Sequence, residues 1–338
     1  MSHELFLWAI FTVLIVACLA VDLGLGRHRH GRISLRAAAV WSLVWILAAG
    51  LFAVFVWHYR GPKDALDFVT GYLVEKALSV DNMFVFIMIF AYFAVADEDQ
   101  PRVLKWGILG AVVFRGSLIA AADVIVKRFD WVLYVFAAML VWAAYKMLTH
   151  SDEEIHPEKN PVLAFSRRVF PIVNRYEGHH FFVREKGRLH GTALLVVLIV
   201  VESTDIVFAL DSIPAIFAIT KDFFVVFTSN IFAILGLRAL FFVLAGIMDM
   251  FRFLKIGVAA ILFFIAGKMF IHHAVEIESW LSLAIIGAIL ATSILGSIFI
   301  SPRKKPQPAP AADDSGGGAA HEEAARGHAE KPREPFIR

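Results

Sequence analysis

Charge is scarce in this sequence. Only 18% of its 338 residues are Asp, Glu, Lys or Arg, where a soluble domain carries about a quarter. A surface built for water is excluded, and with 59% hydrophobic residues and a mean hydropathy of +0.70 the chain is a polytopic membrane protein. Cysteine is scarcer still. Cys18 stands alone, so there is no intramolecular disulfide and no thiolate cluster, and within its apolar run it reads as a small packing residue. There is no P-loop, no GxGxxG in a fitting context and no Ser-His-Asp arrangement, so no ATPase or hydrolase machinery is visible. His179, His180, His321 and His328 lack zinc-site spacing. A net charge of +2, with its basic residues spread over loops, excludes nucleic acid as a partner.

What the chain has is apolar runs of about 20 residues, each long enough to cross a hydrocarbon core of about 30 Å. About nine transmembrane helices are predicted, near 5–25, 37–57, 66–95, 106–126, 131–149, 191–219, 223–247, 255–272 and 279–300. Ser2, His3 and Glu4 give the first run no basic flank, so it reads as a retained helix rather than a signal peptide. Alternate connections hold 18 Lys and Arg on one side, among them Arg27, Arg102, Arg167 and Lys304, against five on the other. That asymmetry predicts an N-terminus outside and a cytoplasmic C-terminus. The predicted organisation is an N-terminal two-helix segment (1–65), a three-helix unit (66–149), a cytoplasmic loop with interfacial helix (150–190), a second three-helix unit (191–275), a last helix (276–300) and a disordered cytoplasmic tail (301–338).

The two three-helix units are related. Residues 136–147 and 258–269 share six identities in twelve positions, ending in Lys146-Met147 and Lys268-Met269. Arg115 corresponds to Arg238, and Glu75-x5-Asp81-Asn82 corresponds to Asp205-x5-Asp211-Ser212. The loop charges point the units in opposite directions, so the expectation is an all-α fold with two inverted three-helix repeats, a signature of secondary transporters.

Carboxylates at membrane depth are costly, by about 2.5–3.5 kcal/mol each on insertion scales, and are usually partnered and functional. The candidate ligand set is Glu75, Asp81, Asn82, Glu202, Asp205 and Asp211, supported by Ser79 and Ser212. All offer oxygen, which suits Mg²⁺, Ca²⁺ or Mn²⁺ and leaves the choice among them open. Five carboxylates cannot all ionise cheaply, so protons are expected to replace a departing divalent cation. On a regular helix Glu75, Ser79 and Asn82 share a face while Asp81 lies about 120° away. One ion held by both acids of a helix then requires a local break, for which Pro214 is the candidate in the second unit. The alternative is that one acid faces an ion and the other an arginine.

Arg115 and Arg238 are expected to pair with these acids, and a purely structural ion-pair network is the competing reading. Lys146 and Lys268 lie near helix ends, where snorkelling is the plain reading despite their symmetry. Asp22, Asp123 and Asp249 read as interfacial, and Met83 as packing. Thr228, Ser229 and Asn230 either line a pathway or bridge helices; His272, His273, Glu276 and Glu278 read as a solvated outer cluster.

Through Tyr72-Leu-Val-Glu75-Lys-Ala-Leu-Ser79-Val-Asp81-Asn82, Glu202-Ser-Thr-Asp205-Ile-Val-Phe-Ala-Leu-Asp211-Ser212-Ile-Pro214 and Trp106-Gly-Ile-Leu-Gly-Ala-Val-Val-Phe-Arg115, residues 5–300 resemble the TerC/Alx family of bacterial inner-membrane proteins. The resemblance implies a multi-pass inner-membrane protein of the LysE-like transporter superfamily that exports manganese, with a link to tellurium-oxyanion resistance. It carries the family's acidic positions to Glu75, Asp81, Asn82, Glu202, Asp205 and Asp211. It also implies exported metalloproteins or stress-complex proteins as partners, besides the lipid bilayer and the metal itself. No cofactor beyond the transported cation is expected, and no enzyme activity. The competing reading is a membrane scaffold of a metal- or tellurium-stress complex.

Overall fold

The computed structural model describes residues 3–24, 34–149, 171–173, 175–185, 187–247, 253–271 and 277–299. Among the described residues ten helices follow one another: α1 (His3–Gly24), α2 (Leu35–Arg60), α3 (Pro62–Tyr92), α4 (Gln100–Arg128), α5 (Val132–Thr149), α6 (Ala193–Phe217), α7 (Phe223–Ile234), α8 (Leu237–Ile247), α9 (Leu254–Ile271) and α10 (Ser279–Phe299). Seven are long and apolar enough to cross a membrane, and the bent pair α7–α8 makes an eighth if taken as one span. α3 has 31 residues, about 46 Å at 1.5 Å per residue, but its charged residues keep it out of that count.

Local chemistry sets the boundaries. Ser34 Oγ accepts from the Ala37 amide at the start of α2, an N-cap. Gly61, at φ +94, turns the chain directly from α2 into α3, which begins at Pro62, where a missing N–H costs nothing. Asp222 caps α7 by accepting from the Val225 amide, and its other oxygen meets Arg60 at 2.5 Å. Arg60 also reaches Asp64 at 2.7 Å and Glu4 at 3.1 Å, tying the ends of α1, α2, α3 and α7 together.

The apolar faces assemble in two zones. Phe11, Phe52, Phe68, Phe224 and Phe232 interlock α1, α2, α3 and α7, with Phe52 stacked on Phe232 at 4.6 Å. Elsewhere α5 lies on α9 through Ala137, Ala143, Ala144, Ala259 and Ala266, small residues that let membrane helices approach closely. Val13, Leu47, Leu51, Trp57 and Trp131 face outward, as lipid-facing positions require.

Three expectations need correction. The segment 223–247 is two helices bent by 47° rather than one. Leu235 is extended and Gly236 has φ +77, a region that favours glycine, while Trp45 lies where a Cβ on Gly236 would be. No break appears at Pro214: α6 continues as helix to Phe217, so the missing N–H forfeits one backbone bond without ending the helix. Where loop and interfacial helix are expected over 150–190, β1 (Phe182–Glu185) and β2 (Arg188–Gly191) form an antiparallel hairpin, pairing Val183 with His190. Its strands are too short to show a period. Residues 150–170 of that segment and the tail from 301 lie outside the described residues.

The hairpin segment is fastened to the α3–α4 connection. Tyr176 donates its hydroxyl to the Phe93 carbonyl at 2.6 Å. His179 Nδ1 meets Asp99 Oδ1 at 2.7 Å, and Arg102 donates to the His179 carbonyl. Burial, aided by Asp99, pushes the Tyr176 phenol up to about 12, so it stays a neutral donor at physiological pH.

Candidate functional site

The centre of the molecule is an arginine. Arg115, on α4, is 1% exposed. Its Nε donates to Asp205 Oδ2 at 3.0 Å and its Nη2 to Asp205 Oδ1 at 2.8 Å, a bidentate fork. Its Nη1 donates to Glu75 Oε1. One guanidinium thus joins α3, α4 and α6, and the two acids that the repeat relates meet on it.

Helix periodicity supplies the rest. Glu75, Ser79 and Asn82 are all buried on one face of α3, as the spacing predicted. Glu202 lies one turn before Asp205 on the same side of α6, close enough for their charges to interact. Its carboxylate occupies the space beside Gly110 of α4, where a Cβ would overlap it, and its Oε2 is buried without a hydrogen-bond partner among the described residues. Two carboxylates therefore meet one guanidinium, and the Glu202 carboxyl lies beside one of them, Asp205.

Gly110→Ala is expected to push Glu202 out of this cluster. The cost is about 1–3 kcal/mol of stability, read by thermal unfolding of the purified protein with helical circular dichroism retained at low temperature.

Helix directions follow from contacts. Gly107 lies against Val201, Gly110 against Glu202 and Arg115 against Asp205, so α4 and α6 run the same way. Gly71 lies against Ile216 and Phe86 against Phe208, so α3 crosses α6 in the opposite sense.

The other expected ligands do not join this cluster. Asp81 is half-buried and within electrostatic reach of Lys255 on α9. Asp211 is half-buried near Lys146 on α5, whose ammonium also lies 5.8 Å from the Trp142 ring. The 100° step of an unbroken helix turns both away from the Arg115 face, so the single centre expected from six ligands is not assembled. Among the described residues no three His, Cys, Asp or Glu side chains are grouped to hold a metal. Ser79 Oγ and Ser212 Oγ are buried and lack hydrogen-bond partners there, as do both amide atoms of Asn230. Lys268 donates to Ser282 Oγ at 2.9 Å.

Arg238 departs from the expected pairing. It meets Asp22 of α1, donating to its carbonyl and lying 3.6 Å from its carboxylate, because the bend at Gly236 sets α8 apart from the line of α7. Asp22 is thus buried and paired rather than interfacial, and Asp123 is buried beside Lys127 at 2.8 Å. Asp249, His272, His273 and Glu276 lie outside the described residues.

Sequence reasoning missed Lys76, Asp67 and Gly110. Lys76 Nζ lies 3.1 Å from both the Ala233 and Leu235 carbonyls, at the break between α7 and α8. Its position beside Glu75 in the motif was the available signal.

The sequence model of the integral membrane protein TerC family matches residues 60–305. An uncharacterized membrane protein of Myxococcus xanthus is 44% identical over 295 residues, 87% of this chain and 92% of that protein. The Escherichia coli K12 protein named "Putative membrane-bound redox modulator Alx" is 43% identical over 311 residues, 89% of this chain and 97% of that protein. An uncharacterized membrane protein of Rickettsia felis is 38% identical over 292 residues, 86% and 97% of the two chains. No solved structure matches.

Proposed function

The chain belongs to the integral membrane protein TerC family, and from that premise we propose that it exports a hard divalent cation, Mn²⁺ first, by alternating access coupled to protons. The observation that carries this reading is the buried acid cluster: Glu75 and Asp205 share Arg115, and Glu202 lies beside Asp205 with a buried oxygen that has no hydrogen-bond partner among the described residues. A divalent cation taken up by these oxygens would displace the protons they otherwise hold, as cation/proton exchange requires. Oxygen is the only donor the site offers, which favours a hard ion. The choice of Mn²⁺ rests on the family resemblance. Arg115 holds the acids when no cation is present; Asp81 and Asp211 receive the ion on either side of it.

In this reading α3 is a further crossing, making nine, in a bacterial inner membrane with the N-terminus outside and the C-terminus in the cytoplasm. Two inverted units, 66–149 and 191–275, rock against each other. Their packing supports it: α3 lies on α7, α4 on α6, and the related helices α5 and α9 on one another. The Escherichia coli relative's name speaks of redox modulation. With Cys18 as the single cysteine, any such effect here runs through the transported ion rather than through paired thiols.

A second reading, a scaffold of a metal- or tellurium-stress complex whose acids only hold helices together, is favoured by the closed Arg115 fork. Proteoliposomes separate the two. Mn²⁺ flux with accompanying proton movement is expected from the parent, and no flux above empty vesicles from Asp205→Asn or Asp211→Asn at normal yield. Equal flux from parent and variants would leave the scaffold reading standing.

A further inference from the structure

The polar face of α3 extends beyond Glu75. Positions 67, 71, 75, 79 and 82 follow one another by steps of four, four, four and three along a slowly winding stripe. Asp67 lies about 12 Å from Glu75 along the axis, eight residues at 1.5 Å each. It is 2% exposed, and its Oδ1 has no hydrogen-bond partner among the described residues.

Asp67 lines a half-open cavity of about 900 Å³ between the first turns of α3, α5 and α10 and the last residues of α6 and α9. A cavity of this size is ample for an ion that keeps its hydration shell. The loop charges place this end of the helices outside the cell.

The stripe has one gap, at Gly71, and another helix fills it. A Cβ on Gly71 would lie 3.0 Å from Ser229 Oγ, so this hydroxyl of α7 sits against the bare backbone between Asp67 and Glu75. Ser229 gives its proton to the Val225 carbonyl at 2.7 Å, which leaves its oxygen lone pairs to face the gap. Oxygen atoms thus recur from the cavity to the Arg115 cluster. Lys268, held by Ser282 Oγ at 2.9 Å, is close enough to Asp67 to offset its charge while no cation is there.

We propose that this cavity is the outer vestibule of the cation path and that Asp67 is its outer carboxylate station, receiving a divalent cation from Glu75 past Ser229. This rests on the export reading and adds a residue and an exit to it.

The test uses the full chain with Cys18→Ala and a cysteine at the cavity wall, Ile219→Cys. A membrane-impermeant thiol reagent added outside should label Ile219→Cys, and MnCl₂ should slow the labelling several-fold. Asp67→Asn should abolish that protection and slow Mn²⁺ export roughly tenfold, while Asp67→Glu retains both. Absence of labelling, labelling indifferent to MnCl₂, or export by Asp67→Asn at the parent rate would overturn the vestibule. If Asp205→Asn stops export while Asp67→Asn does not, the vestibule alone fails; if neither changes it, the export reading fails too.

Discussion

Arg115→Met should destabilise the purified protein by about 3–5 kcal/mol, the usual cost of breaking a buried ion pair from one side, and Mn²⁺ should restore part of the loss. Arg115 is 1% exposed and answers both Glu75 and Asp205. Met fills similar volume but leaves both carboxylates without a cation in a dry interior. In the export reading the metal can take the place of the guanidinium, because the same oxygens face it. Ligand binding to the folded state adds about 2.7 kcal/mol at a hundred times Kd. Thermal unfolding of parent and Arg115→Met across a MnCl₂ series measures both effects. A loss that no divalent cation repairs would identify the fork as a structural brace and count against a cation site there.

The second large effect is expected at the broken helix. Lys76→Met removes the donor shared by the Ala233 and Leu235 carbonyls. Both residues are within 1% of full burial, so each carbonyl left unmet costs about 1–3 kcal/mol. Hydrogen exchange should rise at 233–238 and stay unchanged through the aromatic cluster around Phe52 and Phe232 that anchors the start of α7. Lys76→Arg, which keeps a donor at that place, should behave like the parent. If exchange at 233–238 is the same in Lys76→Met as in the parent, the ammonium does not hold the break. Lys76 also forms a link in a chain of charge, since it lies within reach of Asp22, which meets Arg238 on the far side of the break. Arg238, at the start of α8, is thus tied to α1, while Lys76 of α3 holds the carbonyls where α7 ends.

Much of the architecture was legible because membrane helices announce themselves by length and apolarity. Each of the nine segments expected from hydropathy overlaps one helix or, at 223–247, the bent pair. The shared face of Glu75, Ser79 and Asn82 was readable too, since it depends only on helical pitch. The pairing of Arg115 with Glu75 and Asp205 was anticipated as a class of contact. Its supposed twin at Arg238 was not obtained, because similar sequence does not guarantee similar surroundings once Gly236 redirects the chain. The single six-ligand centre failed for a related reason: unbroken helices at Asp81 and Asp211 turn those acids toward lysines on α9 and α5.

By itself, the amino-acid order determined a helical membrane protein, the positions of its apolar segments and the buried stripe of oxygen donors. These follow from local pitch and from the cost of placing polar groups in lipid. Tertiary structure decided which charges meet: Arg115 reaches acids 40 and 90 positions away, and Arg238 reaches Asp22 across 216. It also decided where a helix breaks and that Asp67 opens on a cavity. Such matters depend on how helices pack and cross, and periodicity along one helix carries no information about its neighbours.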